Sequence, residues 1–98
     1  MAEPLTGAAR ADALQSLAGW AEVDGRDAIT RTFHFDDFKS AFAFMTSCAM
    51  KAEQMDHHPE WFNVYATVEV TLSTHDAGGL THKDVELATF MNDRARAG

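Results

Sequence analysis

Five histidines are the side chains of this 98-residue chain best suited to chemistry. His57 and His58 are adjacent, His75 and His82 follow, and His34 stands apart. Glu53 lies one helical turn before His57, and Asp84 lies nine residues after His75. Imidazole at this density suits proton transfer near neutral pH, because its unperturbed pKa is about 6.5. His57, His58 and His75 are therefore the candidate acid/base groups, with Glu53 and Asp84 as their carboxylate neighbours. Each also has a plainer reading: His58 ends a helix, His75 satisfies loop carbonyls, Asp84 caps a helix, and Glu53 faces solvent. His34 and His82 are read as structural or solvated. A zinc ion could take His57, His58, His75 and a carboxylate, but adjacent histidines tend to diverge. Neither HExxH nor a cysteine pair is present, so no metal is expected.

The elements that must position these groups follow from periodicity and punctuation. Thr6 reads as an N-cap, and Ala8 to Ala18 as a short helix ended by Gly19. Two strands, 20–23 and 28–35, flank Asp24-Gly25, a strong hairpin signal. Asp36 or Asp37 caps a second helix running to about Met55. Its apolar stripe is read as Phe38, Ala41, Phe42, Met45, Cys48, Ala49 and Ala52. Residues 60–74 are β-rich, with Val68, Val70 and Leu72 alternating against polar neighbours. One strand of that length would exceed the usual limit of roughly 10 residues, so the spacing predicts a hairpin turning at Ala66-Thr67. That register sets position 58 opposite position 75, bringing His58 and His75 to one end of the sheet. Pro59 forces His58 out of helical geometry and makes His57-His58 an elbow. Thr81-His-Lys-Asp84 reads as a capping-box variant opening a last helix with Val85, Leu87, Ala88 and Met91. The predicted class is α+β, a four-stranded antiparallel sheet with three helices on one face, in the order α-β-β-α-β-β-α.

Composition narrows the function classes. Eight basic against 15 acidic residues give a net charge of −7, no footprint for nucleic acid or an anionic membrane. The single cysteine, Cys48, excludes an internal disulfide framework and a cysteine-based zinc site. No apolar run approaches the roughly 18 residues of a membrane span, and residues 1–7 lack a signal-peptide pattern. One domain over residues 1–98, soluble and cytoplasmic, is the expectation.

The site residues also form a longer pattern. Glu53-x-x-x-His57-His58-Pro59 is followed by Tyr65 after five intervening residues, His75 after nine and Asp84 after eight. This pattern resembles the signature of the pterin-4a-carbinolamine dehydratases, the family that includes the dimerisation cofactor of hepatocyte nuclear factor. The stretches Asp56 to Tyr65 and Leu72 to Asp76 are similar to the family almost throughout. So are Gly19-Trp20, Gly25 to Ile29 and Phe33 to Phe35.

The resemblance implies elimination of water from a 4a-hydroxytetrahydropterin, giving quinonoid dihydropterin, without cofactor or metal. For 4a-hydroxytetrahydrobiopterin this would recycle tetrahydrobiopterin for aromatic amino acid hydroxylases. By the same resemblance His57 is the principal acid/base, His75 a second imidazole in proton transfer, and His58 mainly a substrate-positioning group. Glu53 and Asp84 match carboxylates that orient imidazoles, while Asp56, Ser73, Thr74 and Asp76 flank the pterin. Trp20 matches an aromatic near the pocket, although a role as core anchor of the first hairpin is an equal reading. Lys83 stands where many relatives have arginine, keeping the charge but losing the planar fork. Relatives form homodimers and homotetramers, and animal members also bind a transcription-factor helix and enter the nucleus. Phe44, off the stripe of the second helix, is the candidate for such an exposed apolar face.

Overall fold

The computed structural model describes residues 2–97. Its elements are α1 (Gly7–Gln15), β1 (Ala21–Glu22), β2 (Ile29–His34), α2 (Phe38–Met55), β3 (Glu60–Val64), β4 (Thr67–Leu72) and α3 (His82–Ala97). A single 3₁₀ turn, His75–Ala77, precedes α3. The expected order of helices and strands is present, and the four strands form one antiparallel sheet in the order β1-β2-β4-β3.

Alternation along β2 and β4 makes one face of the sheet apolar. Ile29 pairs with Leu72 and Phe33 with Val68, and all four side chains are buried. The helices close over this face through Ala41, Phe44, Cys48 and Ala52 of α2 and Leu87, Ala88 and Met91 of α3. The opposite face presents Thr32, His34 and Glu69 to solvent, together with Phe62 and Val64.

Three expectations are corrected. First, α2 is rotated relative to the predicted stripe. Phe44 is only 4% exposed, not the surface residue expected, while Phe38 and Phe42 are about half exposed. The reason is aromatic packing from the sheet: Phe44 sits 4.8 Å from Phe33 and 5.0 Å from Phe35 between ring centroids. Burying such a ring is worth about 1.5–3 kcal/mol, enough to choose between two apolar faces of one helix.

Second, the β3–β4 turn is Tyr65-Ala66, because Val64 pairs with Thr67 and Glu60 with Thr71. The register differs by two residues from the predicted one, so every side chain keeps its face while its partner changes. Carried past the strand ends, this register sets position 58 toward 73 rather than 75. No glycine marks the turn. Tyr65 adopts a positive φ of 49°, and the Asn63 amide donates to the carbonyls of Tyr65 and Thr67.

Third, α1 stops at Gln15, before Ala18; Thr6 does occupy the N-cap position, without a side-chain bond. Ser16 donates its hydroxyl to the Ala13 carbonyl, and the chain turns so that Leu17 enters the core.

The caps that frame the site are both built as their residue types suggest. Asp37 accepts from the Ser40 N–H at 2.8 Å and opens α2. Asp56 closes it in the left-handed region, φ 52° and ψ 45°. The His57 N–H then bonds the Ala52 carbonyl and the Asp56 N–H bonds Glu53, a Schellman closure that aims residues 57 and 58 away from the helix axis.

Candidate active site

Where the end of α2, the start of β3 and the segment after β4 meet, they enclose a cavity of about 300 Å³. Asp56, His57, His58, Pro59, Glu60, Ser73, Thr74, His75, Asp76 and Lys83 line it. A larger hollow of about 440 Å³ lies beneath Arg31, His34 and Arg96, and among the described residues no imidazole–carboxylate pair borders it.

Each of the three candidate imidazoles is tied through Nε2 to a carboxylate. His57 meets Asp84 at 2.6 Å, His58 meets Glu53 at 2.8 Å, and His75 meets Glu60 at 2.8 Å. A carboxylate only accepts, so each contact favours the tautomer with the proton on Nε2 and the lone pair on Nδ1. The pairs differ in burial: His57 is 7% exposed and Asp84 fully buried, whereas His58 and His75 are mostly in solvent. An exposed pair holds a ring only loosely unless the carboxylate is itself anchored. The His57 pair is the one buried on both sides.

Asp84 owes its position to a directional hydrogen-bond chain. The Lys83 N–H donates to the Thr81 hydroxyl at 3.2 Å, which caps α3. The Thr74 hydroxyl donates to Asp84 Oδ2 at 2.8 Å, so its 2.7 Å contact with Thr81 is a bond it accepts. The Thr81 N–H reaches the same Oδ2 at 2.9 Å, completing the capping box predicted from Thr81 and Asp84. Three donors thus converge on one buried carboxylate, and no buried side-chain polar atom among the described residues lacks a partner. The cap reading and the acid/base reading of Asp84 describe the same side chain: Oδ2 holds the helix and Oδ1 holds the imidazole.

The structure brings His57, His58, His75, Asp56, Ser73, Thr74 and Asp76 to the cavity, with Glu53 and Asp84 behind two of the rings. Thr74 is buried with its hydroxyl committed to Asp84, and Ser73 donates to the Asp27 carbonyl at 3.0 Å. Trp20 does not join them. Its indole N–H donates to Asn92 at 2.8 Å and its ring packs edge-on to Phe33, the anchoring role beside the first hairpin.

Two residues escaped the sequence reading. Glu60 accepts a two-pronged contact from Arg26, 2.9 Å at each oxygen, as well as the His75 contact. Arg26 and the His75 contact hold the Glu60 carboxyl down at about 2. The available signal was an acidic residue directly after Pro59, facing whatever followed the partner strand.

The profile of the family described as Pterin 4 alpha carbinolamine dehydratase matches residues 3–94. A relative from Rhodopseudomonas palustris (strain HaA2) is 64% identical over 94% of this chain and 91% of its own. One from Jannaschia sp. (strain CCS1) is 60% identical over 98% of this chain and its own full length. Both names assign them provisionally to pterin-4-alpha-carbinolamine dehydratase. A crystal structure of a transcriptional coactivator/pterin dehydratase from Brucella melitensis superposes with a TM-score of 0.92 at 52% identity. It covers 95% of this chain and 99% of that one.

Proposed function

The chain belongs to the pterin 4 alpha carbinolamine dehydratase family, and from that premise we propose that it is a hydro-lyase dehydrating a 4a-hydroxytetrahydropterin by histidine acid/base catalysis. The observation that carries the reading is the buried His57–Asp84 pair at 2.6 Å, whose imidazole lines the cavity. In the reaction the N5 lone pair of the pterin forms the C4a=N5 bond as the C4a–O bond breaks. The leaving hydroxyl takes up a proton and departs as water, and N5 gives up its own proton to a base. Atoms and charge balance without any redox change. The chemistry asks for one group that accepts a proton and one that donates it.

His57 fits the base, since Asp84 leaves its Nδ1 lone pair free and the charge gained on proton uptake sits beside a carboxylate. His75, across the cavity mouth, fits the acid that serves the leaving oxygen. His58, exposed and held among the described residues by Glu53 alone, fits a contact to the ring. A biopterin substrate and a place in tetrahydrobiopterin recycling are the corresponding biological role, and assembly into homo-oligomers is proposed with it.

The test is dehydration of a chemically generated carbinolamine by purified protein. His57→Ala is expected to slow it by about 10²-fold or more. Wild-type rates in that variant would sink the assignment.

A further inference from the structure

Three separate segments meet at Glu60 on the cavity wall. Arg26 comes from the β1–β2 loop, Glu60 opens β3, and His75 begins the 3₁₀ turn after β4. Arg26 Nη1 and Nη2 reach Oε1 and Oε2, each at 2.9 Å, and His75 Nε2 reaches Oε2 at 2.8 Å. The guanidinium fork determines the plane of the carboxylate, which a single lysine contact could not do. It also keeps Glu60 ionised down to about pH 2, hence purely an acceptor at working pH. His75 itself is 70% exposed and has no other side-chain partner among the described residues. Without that carboxylate, no side-chain hydrogen bond among the described residues would orient this ring.

We propose that Glu60, clamped by Arg26, is a positioning residue for His75, holding Nε2–H so that the ring takes up its second proton on Nδ1 and, as the acid, donates it from there. The proposal rests on the dehydratase reading for its kinetic consequence, but not for its structural one. In Glu60→Gln, Arg26 still only donates and therefore claims the single amide oxygen. The amide NH₂ then faces His75 Nε2, which must offer a lone pair, so the neutral tautomer moves toward Nδ1–H and the doubly protonated donor form loses its acceptor at Nε2.

The experiment is imidazole ¹⁵N spectroscopy of wild type and Glu60→Gln, joined to steady-state dehydration kinetics. Wild-type His75 should be the Nε2–H tautomer. In the variant its resonances should shift toward Nδ1–H, while those of His57 and His58 stay in place. The variant should lose about tenfold in kcat with little change in KM, less than the roughly 10²-fold cost of removing an acid/base imidazole. Unchanged His75 resonances would overturn the proposal. So would a shifted tautomer with kcat unaltered. The spectra need no substrate, so an inactive wild-type protein would refute the dehydratase reading while the spectra still decide on Glu60.

Discussion

Replacing Asp84 with asparagine isolates what this carboxylate does for His57. Asp84 accepts three bonds: His57 on Oδ1 at 2.6 Å, and the Thr74 hydroxyl and Thr81 N–H on Oδ2 at 2.8 and 2.9 Å. An amide has one oxygen. The Thr81 N–H is fixed by the start of α3, so that oxygen stays at the Oδ2 position and the NH₂ turns to His57. The ring must then accept at Nε2 and carry its proton on Nδ1, the nitrogen needed as base. Loss of the correct tautomer is worth about 10²- to 10⁴-fold in rate.

Stability should suffer far less, since one charge-assisted bond is exchanged for a neutral one at about 1–2 kcal/mol. Asp84→Ala is a poorer test. It orphans three buried donors at about 1–3 kcal/mol each, comparable to the whole stability of a small domain. The assay pairs the carbinolamine rate with thermal melting and the ¹⁵N spectrum of His57. A folded Asp84→Asn protein with wild-type turnover, or with His57 still protonated on Nε2, would refute the reasoning.

Other outcomes follow from the same structure. In Gly79→Ala the new Cβ would collide with Asp27 Oδ2, which accepts the Leu80 N–H at 3.2 Å, while Oδ1 accepts from Arg10 at 2.8 Å. Urea denaturation should show a loss of about 1–3 kcal/mol, partly recovered by adding Asp27→Ala; no recovery would place the strain elsewhere. The Glu60 carboxyl lies below its ordinary 4.5, at about 2, chiefly through the Arg26 bond and then His75. Its contribution is therefore complete above pH 4.5 and disappears as pH falls through about 2. The stability gap between wild type and Glu60→Gln should shrink across that window, and a flat gap would contradict the pairing. Burial pushes the Cys48 thiol up to about 12 against a small opposing effect of Arg94. Thiol reagents should leave it untouched in the native protein and label it in denaturant; rapid native labelling would show the core open at α2.

Much of the fold was legible because local rules decided it. The Val68-Val70-Leu72 alternation, the Asp37 cap, the Thr81/Asp84 box and Pro59 after two histidines each act over a few residues, and each sits where its chemistry requires. Where two local solutions were nearly equal, the sequence was silent. The second helix carries apolar residues around more than half its circumference, so periodicity alone admitted a stripe through Phe42 as readily as one through Phe44. The hairpin lacked a glycine, and its turn depended on Asn63 reaching two carbonyls across the loop.

The candidate site divides the same way. By itself the sequence determined which groups could exchange protons, since residue type and the seven-position spacing from Glu53 to Asp84 need no coordinates. It also determined that His57 and His58 lie at an elbow, because proline forbids a helix there. Only the tertiary structure decided which carboxylate serves which ring. Pairing is set by distances between segments far apart in the chain: 27 residues for His57 and Asp84, 34 for Arg26 and Glu60, 15 for Glu60 and His75. Those distances follow from strand register, tied to the Asn63-braced turn, and from helix rotation, settled by the packing of Phe44 on Phe33 and Phe35.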